Sequence, residues 1–144
     1  MSETVTTVRY RGALALRYHG EADDILHLDG DLDDRYPYEP LAETISDDLE
    51  RYGRYASVRY WTAAGPMADD ILMENAVRSL LGDADADYGA RYSEVTGYLW
   101  TDEDINVGGH DLLEELKSQA GRYCLLEIGY SREPGPVTPG SHRP

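Results

Sequence analysis

The run TDEDINVGGHDLLEEL, Thr101 to Leu116, sets side-chain oxygens at Asp102, Asp104 and Asn106, with Gly108 close behind. Oxygens at alternate positions, then a glycine for the sharp turn and a bidentate glutamate further on, are how an EF-hand-type loop wraps Ca²⁺. Counted from Asp102, the glycine (Gly108) and the glutamate (Glu114) each arrive one residue late. Asp102, Asp104 and Asn106 are therefore candidate metal ligands in an imperfect frame. A turn followed by a cap accounts for more of the run. Gly108-Gly109 permits a reversal, and Asp111 stands three residues before Glu114, an aspartate variant of the capping box.

The same spacing recurs at Asp83, Asp85, Asp87 and Gly89, and Asp29, Asp31, Asp33 and Asp34 form a third acidic run. Aspartate is abundant here, with 28 Asp and Glu against 13 Lys and Arg, so short patterns of this kind match by chance. The seven aspartates of these two runs are better candidates for contact with a basic partner than for metal chemistry.

Other chemistry finds less support. His110-Asp111, ahead of an expected helix, invites an acid/base reading, because a helix N-terminus favours the neutral imidazole. The chain lacks a glycine-rich phosphate loop and a Gly-x-Ser-x-Gly elbow, and its only lysine, Lys117, falls within that helix. His19, His27, His110 and His142 are scattered, and there is a single cysteine, Cys124, within the apolar run CLLEI. A zinc site would need these residues clustered, and a lone thiol in apolar surroundings is expected to be buried and inert. No cofactor is expected.

The net charge is −15, and it is segregated. Residues 21–50 carry −11 and residues 69–115 another −11, while the three remaining segments are each net positive. Such a surface repels nucleic acid and anionic membranes and attracts basic partners. With no apolar run of spanning length and no signal-like opening, a cytoplasmic protein is expected. The charge points to a non-enzymatic interaction module for a basic, nucleic-acid-binding protein. Its sharpest form is a DNA-mimicking inhibitor of the phage or mobile-element type. The alternatives are a Ca²⁺-responsive domain using the 102–108 loop and a small acid/base enzyme around His110. There are twelve Tyr and no Phe, and eight arginines are followed directly by Tyr. Along a strand, neighbours face opposite ways, so Arg-Tyr sets a ring on the core and a charge in water. Exposed rings would instead add contact area.

Periodicity supplies the scaffold. Val8, Tyr10, Leu14, Leu16 and Tyr18 keep the phase of a strand, with a kink at Gly12, and DILHL reads as its return. Pro40 opens a helix carrying Leu41, Ile45, Leu49 and Tyr52 on one stripe, closed by Gly53. RYASVRYWT reads as a strand and Met67 to Leu81 as a second helix with Ile71, Leu72, Val77 and Leu80 inward. GDADADYGA reads as an acidic loop and RYSEVTGYLW as a strand. A third helix is expected over Leu112 to Ala120, and RYCLLEIGY as the last strand. The order is ββαβαβαβ, and the expected fold class is α/β, with α+β as the variant. Its architecture is a two-layer sandwich, a mixed sheet with three helices on one face. Residues 1–130 make one compact acidic domain, and 131–144 a Pro/Gly-rich disordered tail.

Overall fold

A computed structural model describes residues 5–19, 22–29, 40–92, 94–95, 97 and 99–132. Within them the chain forms β1 (Thr6–His19), β2 (Ala22–Asp29), α1 (Leu41–Tyr52), β3 (Tyr55–Ala63), α2 (Asp69–Leu72), β4 (Arg78–Tyr92), β5 (Leu99–Val107), β6 (His110–Asp111), α3 (Leu112–Lys117) and β7 (Tyr123–Ser131). The seven strands make one sheet in the order β2-β1-β7-β3-β4-β5-β6, and every neighbouring pair is antiparallel. The fold is α+β, and the sheet is not mixed. Consecutive strands either turn back on themselves or return across the sheet, so no parallel crossover arises.

β7 lies inside the sheet, between β1 and β3, and all nine of its residues are buried. Its two faces serve two cores. Cys124, Leu126, Ile128 and Tyr130 join Tyr10, Leu14, Val58, Tyr60, Leu80 and Ile105 under α1 and α3. Tyr123 and Leu125 join Trp61, Ala63 and Leu72 on the other face. Two helices therefore pack on one face, and α2 packs on the opposite one. That corrects the expectation of three helices on a single face.

α1 forms as the apolar stripe requires: Leu41, Ile45 and Leu49 are buried, Pro40 is its N-cap residue, and the Gly53 amide returns to the Leu49 carbonyl at 3.0 Å. Each fully buried leucine contributes about 2 kcal/mol of transfer free energy. Leu49→Ala would also leave a cavity, for a total cost of about 2–5 kcal/mol. The helix is pinned by a buried polar contact as well. Tyr10 Oη on β1 donates to Asp48 Oδ2 at 2.6 Å and shares a short hydrogen bond with Tyr130 Oη of β7. Burial, first of all, and these neighbours push the Tyr10 hydroxyl far above its ordinary range, keeping it a neutral donor.

The second expected helix, 67–81, is corrected most. Only Asp69–Leu72 is helical, and Leu80 points into the core from β4. Ile71 and Val77, read as inward, are 54% and 49% exposed. β4 is long and changes partner between Asp83 and Ala84, just past Gly82. Arg78–Asp83 pairs with β3, and Ala84–Tyr92 pairs with β5. At this corner the Gly82 backbone, at φ 147°, passes so close to Gly108 that a Cβ would stand 2.7 Å from its Cα. The bend curls the sheet until β5 approaches β2, its far edge. There the Glu103 carboxylate accepts from Leu26 N at 3.2 Å and pairs with Lys117 Nζ at 2.9 Å, bridging two strands that share no backbone ladder.

The expected strand 91–100 is instead the end of β4, a turn at Glu94-Val95 and the start of β5, the two strands closing at Tyr92 and Leu99. Ser131, placed in the tail by the sequence, is instead fully buried at the end of β7. Residues 133–144 lie outside the described residues, as do residues 30–39.

A candidate protein interface on β4 and β5

The segment read as an acidic loop, 82–90, and the segment read as a metal loop, 102–108, are the two strands of one hairpin. Asp85 pairs with Asn106, Asp87 with Asp104 and Gly89 with Asp102. Ala84, Ala86, Ile105 and Val107 face the core. By strand alternation Asp83, Asp85, Asp87, Asp102 and Asp104 all face the other way, and all are exposed. Five carboxylates from two separate runs of sequence thus form one acidic face.

One side chain mediates between them. Asn106 Nδ2 donates to Asp104 Oδ2 at 2.7 Å and to Asp85 Oδ1 at 3.2 Å, so a single amide serves two carboxylates on neighbouring strands. Asp102 and Asp104 stand on an extended strand, about 7 Å apart, and not on a loop of the Ca²⁺-wrapping kind. Among the described residues no group of three or more His, Cys, Asp or Glu converges closely enough to hold a metal ion.

The turn-and-cap features appear where the sequence sets them. Gly108 and Gly109, at φ 57° and 84°, make the reversal from β5 to β6, as a tight turn with two positive φ values demands. Asp111 Oδ1 accepts from Glu114 N at 3.0 Å, capping α3. His110 is exposed on β6. A shallow concavity of about 360 Å³ is lined by Leu49, Glu50, Gly53, Arg54 and Arg132, and not by His110.

Asp29 stands apart from this hairpin in sequence and is paired with Arg17. It lies on β2 and is held by Arg17, whose Nε donates to Asp29 Oδ1 at 3.1 Å. Asp31, Asp33 and Asp34 lie outside the described residues. Tyrosine does not supply exposed contact area among the described side chains. Tyr10, Tyr60, Tyr123 and Tyr130 are buried, and Tyr52, Tyr55 and Tyr88 are half-buried. The Arg-Tyr pairs behave as strand alternation requires, with Tyr10 and Tyr60 inside and Arg9 and Arg59 toward solvent. Cys124 is fully buried, and burial pushes its thiol up to about 12.

On the same sheet face as the carboxylates, but beside α2, the arginines are all engaged. Arg11 Nη2 meets Asp69 Oδ2 at 2.7 Å, Arg9 meets both Asp69 and Glu127, and Arg59 pairs with Glu127 while its guanidinium lies 5.2 Å from the Trp61 ring centroid. These pairs take up positive charge beside α2. Among the described residues no helix is long and apolar enough to cross a membrane.

The chain is thus an α+β protein built on a curled antiparallel sheet with an acidic outer hairpin. Comparison with family models, curated proteins and solved structures returned no match.

Proposed function

We propose that this chain is an interaction module that docks the acidic face of β4 and β5 onto a basic protein. The observation that carries the reading is the register of the hairpin, which aligns Asp83, Asp85 and Asp87 with Asp102 and Asp104 on one exposed face. A run of like charges held by rigid strands is unfavourable for folding, and an oppositely charged surface relieves it on contact. Asp102 lies opposite Gly89, so the five charges span Asp83 to Gly89, about 20 Å of strand, or about one per 4 Å. B-DNA carries one per roughly 1.7 Å of axis. The density is a little under half that of a duplex, which still favours a nucleic-acid-binding surface as the target, and imitation of DNA is the specific form of the proposal.

The test is affinity capture from host lysate at low and moderate salt, with duplex DNA as competitor, using the wild type and a variant with Asp85, Asp87, Asp102 and Asp104 all changed to Asn. A basic protein released by salt and by DNA, and not held by the variant, is expected. A captured protein that both forms hold equally would overturn the assignment of this face.

A further inference from the structure

The outward row of β4 changes chemistry at its bend. Ser79, Leu81, Asp83, Asp85 and Asp87 alternate with the buried Leu80, Ala84 and Ala86, and all five are exposed. Val77, immediately before the strand and in the same phase, is exposed as well. Past Gly82 the row carries only carboxylates as far as Asp87. A short neighbour leaves room beside Leu81, which stands opposite Ser57. The row is therefore apolar at one end, with Val77 and Leu81, and acidic at the other.

Scattered exposed apolar residues need no partner. These two lie in line with the acidic interface, on the sheet face that α2 covers around Trp61, Ala63, Tyr123 and Leu125. Ile71 of α2 is exposed as well. The complement of such a row is itself mixed, apolar at one end and basic at the other. A flexible polycation supplies charge alone and leaves Val77 and Leu81 in water. An extended segment laid over these side chains would set its own amides and carbonyls against Leu81 without ladder partners, because β4 already pairs with β3 and then with β5. A helix pairs its own main chain and gathers side chains three and four apart on one face. A second copy of this chain, at −15, is disfavoured by charge.

We infer that the partner lays a basic amphipathic helix along the outward row of β4, with its apolar residues on Val77 and Leu81 and its lysines or arginines on Asp83, Asp85 and Asp87. The row from Val77 to Asp87 is about 34 Å long, and a helix rising about 1.5 Å per residue covers it with about 22 residues. The apolar end fixes direction, because a reversed helix would set lysine on Leu81 and leucine on the aspartates. Charge governs the rate of encounter and its salt dependence. The inference rests on the proposed acidic interface and names the partner element that engages it.

The probe is a synthetic alanine-based helix of about 22 residues, with leucines on one face of its first half and lysines on the same face of its second. It is titrated against the full chain beside a control in which glutamine, a comparable helix former, replaces each leucine and every charge is kept. The leucine peptide is expected to bind at least about tenfold more tightly than the control. Val77→Ser with Leu81→Ser, both at exposed positions, should abolish that preference while circular dichroism stays unchanged. Equal affinity of wild type for both peptides, or a preference that survives in the double variant, would overturn the docked helix and leave a purely electrostatic interface standing. Failure of both peptides, where the capture experiment succeeds, would also overturn it and leave the acidic face intact. Undiminished binding of both peptides by the Asp-to-Asn variant used for capture would instead overturn the acidic interface itself.

Discussion

Asp87 of β4 stands directly opposite Asp104 of β5, two exposed carboxylates in cross-strand register, with Asn106 Nδ2 donating to Asp104. Opposed like charges in an antiparallel pair are destabilising, and opposite charges contribute roughly 0.2–1 kcal/mol. The hairpin therefore holds its acidic face at a cost to its own stability. Proteins keep such costs where a site requires them.

Asp87→Lys should raise the melting temperature, because it replaces repulsion with attraction across the same rung. A gain of about 1 kcal/mol is expected at low ionic strength, shrinking as salt screens the pair. Thermal denaturation at two salt concentrations checks both parts. A lower melting temperature in the variant would show that the pair is not strained. The same substitution should weaken capture of a basic partner, so stability and binding move in opposite directions.

Tyr10→Phe should destabilise the protein without changing its shape. The ring remains packed, but Asp48, which is only 5% exposed, loses the donor at 2.6 Å. Withdrawing a hydrogen bond from a buried acceptor costs about 1–3 kcal/mol. The measurement is the urea midpoint, with an unchanged m-value. A midpoint equal to wild type would mean that the contact contributes nothing.

Acid should loosen the α2 face and the α3 contact. The Arg11 hydrogen bond, ahead of the other neighbours, holds the Asp69 carboxyl below the usual range, and Arg78 does the same for Glu115. Burial alone would raise Glu127, but Arg59 and Arg9 outweigh it and its carboxyl is lowered too. A carboxyl depressed on folding contributes stability that is fully present above its unfolded pKa, about 4. That contribution is lost as pH falls through the lower folded value. Stability should therefore decline below about pH 4. Denaturant midpoints from pH 7 to pH 3 test this, and Glu127→Gln should flatten the fall.

Cys124 offers a readout of opening. It is fully buried with its thiol raised to about 12, so a thiol reagent at neutral pH should label it only through unfolding. The labelling rate should rise with urea in parallel with loss of circular dichroism. Rapid labelling of the native state would contradict the burial of β7 between β1 and β3.

Much of the scaffold is legible in the residues. The phases of Tyr10 and Leu14, of Ala56, Val58 and Tyr60, and of Cys124, Leu126, Ile128 and Tyr130 all mark the face that the structure buries, and the stripe on α1 marks its packing side. The hairpin that bears the candidate site was hidden by composition. Aspartate is rare in strands, so DADAD reads as a loop, although its strict alternation with alanine is itself a period of two. The same holds for Asp104-Ile105-Asn106-Val107. The false helix at 67–81 arose because Ile71, Leu72, Val77 and Leu80 fit a period of 3.6 while belonging to two elements. Which acidic runs converge was not legible at all, since convergence depends on β4 leaving β3 just past Gly82.

The position of β7 carries a consequence for how the chain reaches this state. β7 is the seventh strand in order of synthesis but the third across the sheet, and it joins β1 to β3, with Thr6 paired to Tyr130. Until Tyr123–Ser131 is available, β1–β2 and β3–β4–β5 are two fragments with no ladder between them. Contacts this distant in sequence place a protein toward the slow end of two-state folding, on the order of milliseconds to seconds. The sheet is thus completed only when β7 docks between β1 and β3.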